Sequence, residues 1–162
     1  MLVLVEAAIR PVEVSDFEGV VRLTPRLLVG VNPSRPTDLV RSAVQAWVKD
    51  SLEAAGSDGH GGWVAIVDGS IVGFVSVTED EHWCGQPDAW VGELIVAEHC
   101  ERHGIASSLM ARVEGWASER GLHHVRLSTG AANLGARAFY ESLGYTETDV
   151  TLTRQLHNAT AT

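Results

Sequence analysis

The sequence predicts a mixed α/β domain in which helices cover a sheet. Apolar residues run together or alternate over strand lengths in "WVAIVDGSIVGFVSV" and "AWVGELIV". They recur at helical spacing in "LVRSAVQAWVKDSLEAA" and "IASSLMARVEGWASER". Turn residues separate these runs. The resulting order, β-α-α-β-β-β-α-β-α-β-β, holds about six or seven strands and about four helices.

In chain order, "LVLVEAAIRPV" reads as a first strand. "SDFEGVVRLTPRLL" reads as a helix, with Ser15 or Asp16 as its N-cap and Phe17, Val20, Val21 and Leu23 at helical spacing. "NPSRPTD" is loop, and Thr37 or Asp38 is placed to cap the second helix, which ends before the glycine-rich "GSDGHGG". A hairpin follows, because Asp68-Gly69 supplies residues that tolerate positive φ. "TEDEHWCGQPD" reads as a polar loop leading into the strand "AWVGELIV". The helix "IASSLMARVEGWASER" sets Ile105, Leu109, Val113 and Trp116 on one stripe, with Gly121 as C-cap. The strand "HHVRLST", the helix "NLGARAFYESLG" and a last strand pair around "YTETDVTLTRQL" complete the domain, expected to span 1–162.

The chain has 162 residues, 45% hydrophobic and 20% charged, which suits one domain with a buried core. Its formal net charge of −9 argues against nucleic acid or an anionic membrane as the main partner. An acidic mouth that attracts a cationic substrate fits that charge, as does an ordinary acidic surface. Cys84 and Cys100 lack disulfide density and CxxC spacing, so free thiols in a reducing compartment are expected. "MLVLVEAAIRP" has no basic region, and Glu6 interrupts its apolar run, unlike a signal peptide. No stretch approaches the ~20 apolar residues that span a bilayer. The expected location is the cytoplasm.

The stretch "LIVAEHCERHGIAS" places a strand, a short turn and then Gly104 at the mouth of a helix. The first N–H groups of a helix lack partners, and the macrodipole makes that end positive. Small residues let a phosphate approach those groups; the alternative is a glycine that only shapes the strand-to-helix turn. Neither G-x-x-x-x-G-K-[ST] nor G-x-G-x-x-G occurs, so a nucleoside triphosphatase and a dinucleotide enzyme are unsupported. His99 and His103 are four apart but interrupted by "CER" and followed by Gly104, with no third ligand of clear spacing. No metal is expected.

These residues carry a resemblance. "ERHGIA", residues 101–106, is similar to the [QR]-x-x-G-x-[GA] turn of the GNAT N-acetyltransferase superfamily, and "NLGARAFYESLGY" resembles its N-x-x-A-x-x-x-Y-x-x-x-G-[FY]. The "IRPVEVSDFEGV" start and the "VDGSIVGFVSV" hairpin also look like that family. The resemblance implies a GNAT-like sheet, mostly antiparallel, whose central strands splay apart. It implies acetyl-CoA as co-substrate, held by backbone groups of Leu94, Ile95 and Val96 and by the N–H groups of Arg102, His103, Gly104, Ile105, Ala106 and Ser107. Glu101 departs from the pattern, because family members usually carry Arg or Gln there. Weaker or rearranged CoA binding is the consequence expected, with Arg102 available to supply positive charge.

The resemblance also assigns chemistry. Asn133 is a good N-cap, and in the family its position contacts the cofactor as well. Tyr140 becomes the general acid near the CoA sulfur, its alternative being a half-buried core tyrosine. Glu93, inside an apolar strand, is the candidate base, or else it faces away and pairs with a neighbouring strand. Family members that acetylate ribosomal-protein N-termini carry a glutamate five residues before the Asn, where this chain has Ser128. Glu79, Glu81, His82 and Asp88 are candidates for holding an ammonium group, or they line an ordinary solvated loop. Trp47, Trp63, Trp83 and Trp90 either line an apolar acceptor site or simply pack. The expected activity is acetyl transfer to a small-molecule or peptide amine, with a homodimer as an option. A CoA-binding regulator without turnover is the alternative.

Overall fold

A computed structural model describes residues 6–156. Strands β1 (Ala8–Pro11), β2 (His60–Val67), β3 (Ser70–Glu81), β4 (Pro87–Val96) and β5 (Val125–Arg126) form one sheet in the order β1-β2-β3-β4-β5. The first three pairings are antiparallel, and β4 pairs with β5 in parallel. Four helices accompany them: α1 (Phe17–Val21), α2 (Thr37–Ala54), α3 (Ile105–Glu119) and α4 (Leu134–Ser142). Helices on both faces give each side of the sheet an apolar cover. Val20 of α1 and Val48 and Leu52 of α2 pack on Val64, Phe74 and Ile95. On the opposite face, Ile105, Leu109, Met110 and Val113 of α3 pack on Val75, Val91 and their neighbours.

Local chemistry explains most of these elements. Asp68 and Gly69 both take positive φ (48° and 77°), as a two-residue turn matching the strand twist requires. Gly121, at φ 72°, follows the end of α3. Asp16, instead of capping α1, accepts from the Glu13 N–H (2.8 Å) and is clamped by Arg10 at 2.6 and 2.8 Å, tying the helix entry to β1. Neither Thr37 nor Asp38 caps α2, because Pro36 occupies the N-cap and Thr37 is already helical.

The structure corrects several expectations of extent. The helix expected over "SDFEGVVRLTPRLL" is α-helical only at Phe17–Val21, between 3₁₀ turns at Val14–Asp16 and Thr24–Leu28, because Pro25 has no N–H to continue it and the Thr24 hydroxyl donates to the Val21 carbonyl instead (2.8 Å). Of the first strand expected over "LVLVEAAIRPV", Ala8–Pro11 is strand, and residues 2–5 lie outside the described residues. "TEDEHWCGQPD" is not mainly loop: β3 and β4 stay paired out to Glu81↔Pro87, and only His82–Gln86 turns. Beyond the core both faces of a two-stranded ribbon meet water, so polar residues suit it as well as a loop. The strand expected over "HHVRLST" shrinks to Val125–Arg126. The last strand pair is absent among the described residues, where 145–156 hold neither helix nor strand. The period-two pattern there is real, but Val150 and Leu152 are 76% and 90% exposed and no strand edge meets them. The count is therefore five strands among the described residues.

Candidate active site

The site begins with a change of parity in β4. Ala89 and Val91 face α3, so simple alternation would send residues 93 and 95 the same way. Instead Leu94 and Val96 pack on the α3 side, while Ile95 joins the α1–α2 core. The cause is a β-bulge: register runs Val75↔Leu94 and then Val77↔Val91, so Gly92 and Glu93 together oppose Ser76. A Cβ on Gly92 would lie 2.6 Å from the Ser76 Oγ, so glycine permits this close approach.

The bulge turns the Glu93 carboxylate toward α2 and buries it, with 7% exposed. Ser51 of α2 donates to Oε1 (3.1 Å), the Ser76 hydroxyl donates to Oε2, and the Glu93 N–H donates to Ser76 Oγ (3.2 Å). Burial pushes the Glu93 pKa above its ordinary value, and the two serine hydrogen bonds oppose this only in part. The carboxylate thus does engage a neighbouring strand, through Ser76, while remaining next to open volume.

That open volume arises because β4 and β5 part company. They pair only at Ala89↔Val125 and Trp90↔Arg126. Buried Asp88 fastens this closed end, accepting from Arg126 Nε (2.6 Å) beside His124 Nδ1 (3.2 Å), while Arg126 also reaches Asp80 (2.9 Å). Asp88 is therefore committed to the clamp, and Glu79 lies 3.5 Å from Arg120. Beyond Trp90 the β5-facing edge of β4 has no strand partner among the described residues, and the central strands are splayed.

A cavity of about 190 Å³ fills the splay. It brings Glu93, Leu94, Asn133 and Tyr140 together, and Ser128 lines it too. Asn133 caps α4, its Oδ1 accepting from the Ala136 N–H (3.1 Å), so its capping role is established by geometry. Tyr140 stands edge-on to Tyr145, with ring centroids 5.7 Å apart, and burial lifts its pKa to about 12. Ile95 and Val96 do not line this cavity, and the Ile95 side chain points into the α1–α2 core. Only their backbone is available to a ligand.

The glycine turn lies beyond the cavity, at the open end of the splay. β4 ends at Val96, one 3₁₀ turn covers Glu98–Cys100, and Gly104 caps α3 at φ 78°. His99 belongs to that 3₁₀ turn and His103 follows it, so they share no helix face. Arg102 also takes positive φ, 63°. Arg102, His103 and Ser107 are exposed, Ala106 is half-buried, and Ile105 sends its side chain into the core. Nothing stands within 4 Å of where a Gly104 Cβ would be, so the mouth of the helix is open.

Arg26 was not found by sequence reasoning. It comes from the 3₁₀ turn Thr24–Leu28, lines the cavity, and pairs with Glu101 and, at 3.9 Å, with Glu98. Its Nε is buried without a partner. The unusual Glu101 is thereby neutralised by a cation that no motif connects to it. Ser51 and Ser76 were missed for the same reason: only folding brings them to Glu93.

A second cavity, about 480 Å³, lies between the Thr24–Leu28 turn and α2. Gly92 and Glu93 line both cavities. Of the four tryptophans considered, Trp47 lines the second of these two cavities; Trp63 packs on the α3 core, Trp83 is 87% exposed, and Trp90 lies under Arg126.

The profile of the acetyltransferase (GNAT) family matches residues 30–145, from the loop before α2 through α4. The chain belongs to the GNAT acetyltransferase family. Aminoglycoside N(6′)-acetyltransferase type 1 of Serratia marcescens is 31% identical over 87 residues, covering 51% of this chain and 60% of the relative. The chain thus spans less than two thirds of that relative's length. Its fold is similar to that of AAC(6′)-Iy in complex with the bisubstrate analogue CoA-S-monomethyl-acetylneamine, with a TM-score of 0.70 and 20% identity over 94% of this chain and 99% of the other. It is also similar to a transcriptional regulator from Bacillus halodurans C-125, with a TM-score of 0.72 and 24% identity over 93% and 100% of the two chains. Among the described residues, no helix of this GNAT protein is long and apolar enough to cross a membrane.

Proposed function

We propose that this GNAT protein is a single-domain, cytoplasmic N-acetyltransferase that moves an acetyl group from acetyl-CoA directly to a primary amine. The observation that carries the reading is Glu93: one buried carboxylate lines both the cleft between the splayed strands and the cavity against α2. An amine in the α2 cavity and a thioester in the cleft would meet there, the proximity that direct transfer needs.

The residues present fit CoA. The open volume at Gly104, the exposed first turn of α3 and the positive charge of Arg102 suit a pyrophosphate. The unpaired edge of β4 at Leu94, Ile95 and Val96 suits an amide-bearing pantetheine arm. Acetyl-CoA supplies the acetyl group already activated as a thioester.

Glu93, as carboxylate, takes one proton from the incoming ammonium and leaves a neutral nucleophile. Its raised pKa makes it a better base than an ordinary carboxylate. A β4 N–H donates to the carbonyl oxygen as negative charge grows there, an effect often worth about 3 kcal/mol. The C–N bond forms, the C–S bond breaks, and the amine's second proton leaves to solvent. Tyr140 donates a hydrogen bond to the departing sulfur. With its phenol near 12 and a thiol near ~8.5, its proton stabilises the thiolate more than it transfers outright. Glu93 returns its proton, through solvent, to the departed thiolate and is a carboxylate again, so the products are one amide, one thiol and the single proton left in solvent.

Thiol release from acetyl-CoA with a panel of amines tests the reading. Tyr140→Phe should lower kcat by roughly 10²-fold with little change in CoA affinity; equal turnover removes Tyr140 from the chemistry. CoA binding with no thiol release for any amine would make the protein a CoA-binding regulator.

A further inference from the structure

The larger cavity has a chemistry that narrows the acceptor. Leu39, Val40, Val44 and Trp47 of α2 form one wall, with Leu27 and Val31 opposite. Among the described residues, no serine, threonine, asparagine or glutamine side chain lines it, and its only ionisable groups are Glu93 and Arg35. Its volume of about 480 Å³ falls within the roughly 300–1,000 Å³ usual for small-molecule sites.

A polyhydroxylated, polycationic acceptor fits this lining poorly. Each hydroxyl would leave water without a side-chain partner. A first ammonium can reach Glu93, but a second would face apolar walls or the like charge of Arg35. An apolar amine meets neither objection. Leu39 and Trp47, 69% and 61% exposed at the mouth, are surfaces that such a ligand would cover.

Resting on the acetyltransferase reading, we infer that the acceptor is a primary monoamine with an apolar body, aliphatic or aromatic. The ammonium lies at Glu93 and the body runs along α2. This parts the protein from what the names of its aminoglycoside-acetylating relatives suggest. The continuity of the cavity with the cleft through Gly92 and Glu93 favours this ligand over a second copy of the chain.

The test titrates 2-phenylethylamine, n-hexylamine, spermidine and neamine into the CoA-saturated protein by calorimetry, and separately measures thiol release from acetyl-CoA. The two apolar monoamines should exceed the polycations at least about a hundredfold in kcat/KM. Leu39→Lys, at an exposed rim position, and Ala43→Phe, which fills the cavity from the α2 wall that Ala43 shares with Leu39 and Trp47, should each weaken their binding at least about tenfold and leave CoA affinity unchanged. Preference for spermidine or neamine, or binding indifferent to both variants, overturns the inference, while their thiol release keeps the acetyltransferase reading. Apolar amines that bind without thiol release keep the ligand class and sink the enzyme. Failure of every amine to bind also overturns it. If sedimentation then shows a dimer that Leu39→Lys dissociates, the face belongs to a second copy.

Discussion

Glu93 is a carboxylate removed from water, and ionising it there is costly unless hydrogen bonds compensate. Ser51 and Ser76 compensate in part, so its pKa stays raised. Between the ordinary glutamate pKa and this raised one, the folded state holds a proton that the unfolded chain has released. Stability therefore falls as pH rises through that window, and above it the ionised carboxylate is a net cost. Glu93→Gln should raise Tm at pH 7.5, by about 2–4 °C for each kcal/mol of desolvation relieved. That gain should shrink below pH 4, where the wild-type carboxyl is also neutral. The same substitution should lower kcat/KM by roughly 10²-fold or more. Thermal scans at the two pH values, with thiol-release kinetics, check both halves. For the wild type, kcat/KM should rise with pH as Glu93 ionises. Ser76→Ala removes a donor that lowers the pKa, so that limb should move to higher pH; an unmoved profile would assign it to another group.

At the scale of elements, the splay depends on a fastened end and an open one. Asp88 is buried between Arg126 and His124, and removing one member of a buried ion pair costs up to about 3–5 kcal/mol, less where water can reach the survivor. Asp88→Ala should lower the urea midpoint accordingly while leaving the acetyl-CoA KM within twofold of wild type, roughly the level of a change distant from the phosphates. At the open end, Gly104→Val should cost about 1–2 kcal/mol through its positive φ, because nothing else stands near the new side chain. Its acetyl-CoA dissociation constant should rise well beyond tenfold, roughly one lost charge-assisted hydrogen bond or more. Calorimetry with CoA separates strain from lost cradle, since retained affinity at reduced stability would leave only strain.

The whole molecule shows what pattern reading reaches and where it stops. Helices α2, α3 and α4, the Asp68-Gly69 hairpin and the Gly104 turn were legible because period, caps and positive-φ residues are local properties. The Gly92–Glu93 bulge was not read, although a lone glycine inside a strand can mark one; apolar residues on both sides of Gly92 and Glu93 disguise the shift of parity. Arg26, Ser51 and Ser76 were hidden by distance along the chain. Net charge was legible and has a consequence at this scale. With a formal charge of −9, the protein attracts an ammonium acceptor over distances of a Debye length and repels the polyanionic CoA. Added salt screens both, so the two substrates should respond with opposite sign. Between about 20 and 300 mM monovalent salt, kcat/KM for the amine should fall several-fold, roughly, while the association rate of acetyl-CoA rises or holds level. Stopped-flow binding of acetyl-CoA and steady-state kinetics of the amine across that range measure the two responses. A parallel fall in both would locate the governing field at Arg102 and the helix mouth instead of in the acidic surface as a whole.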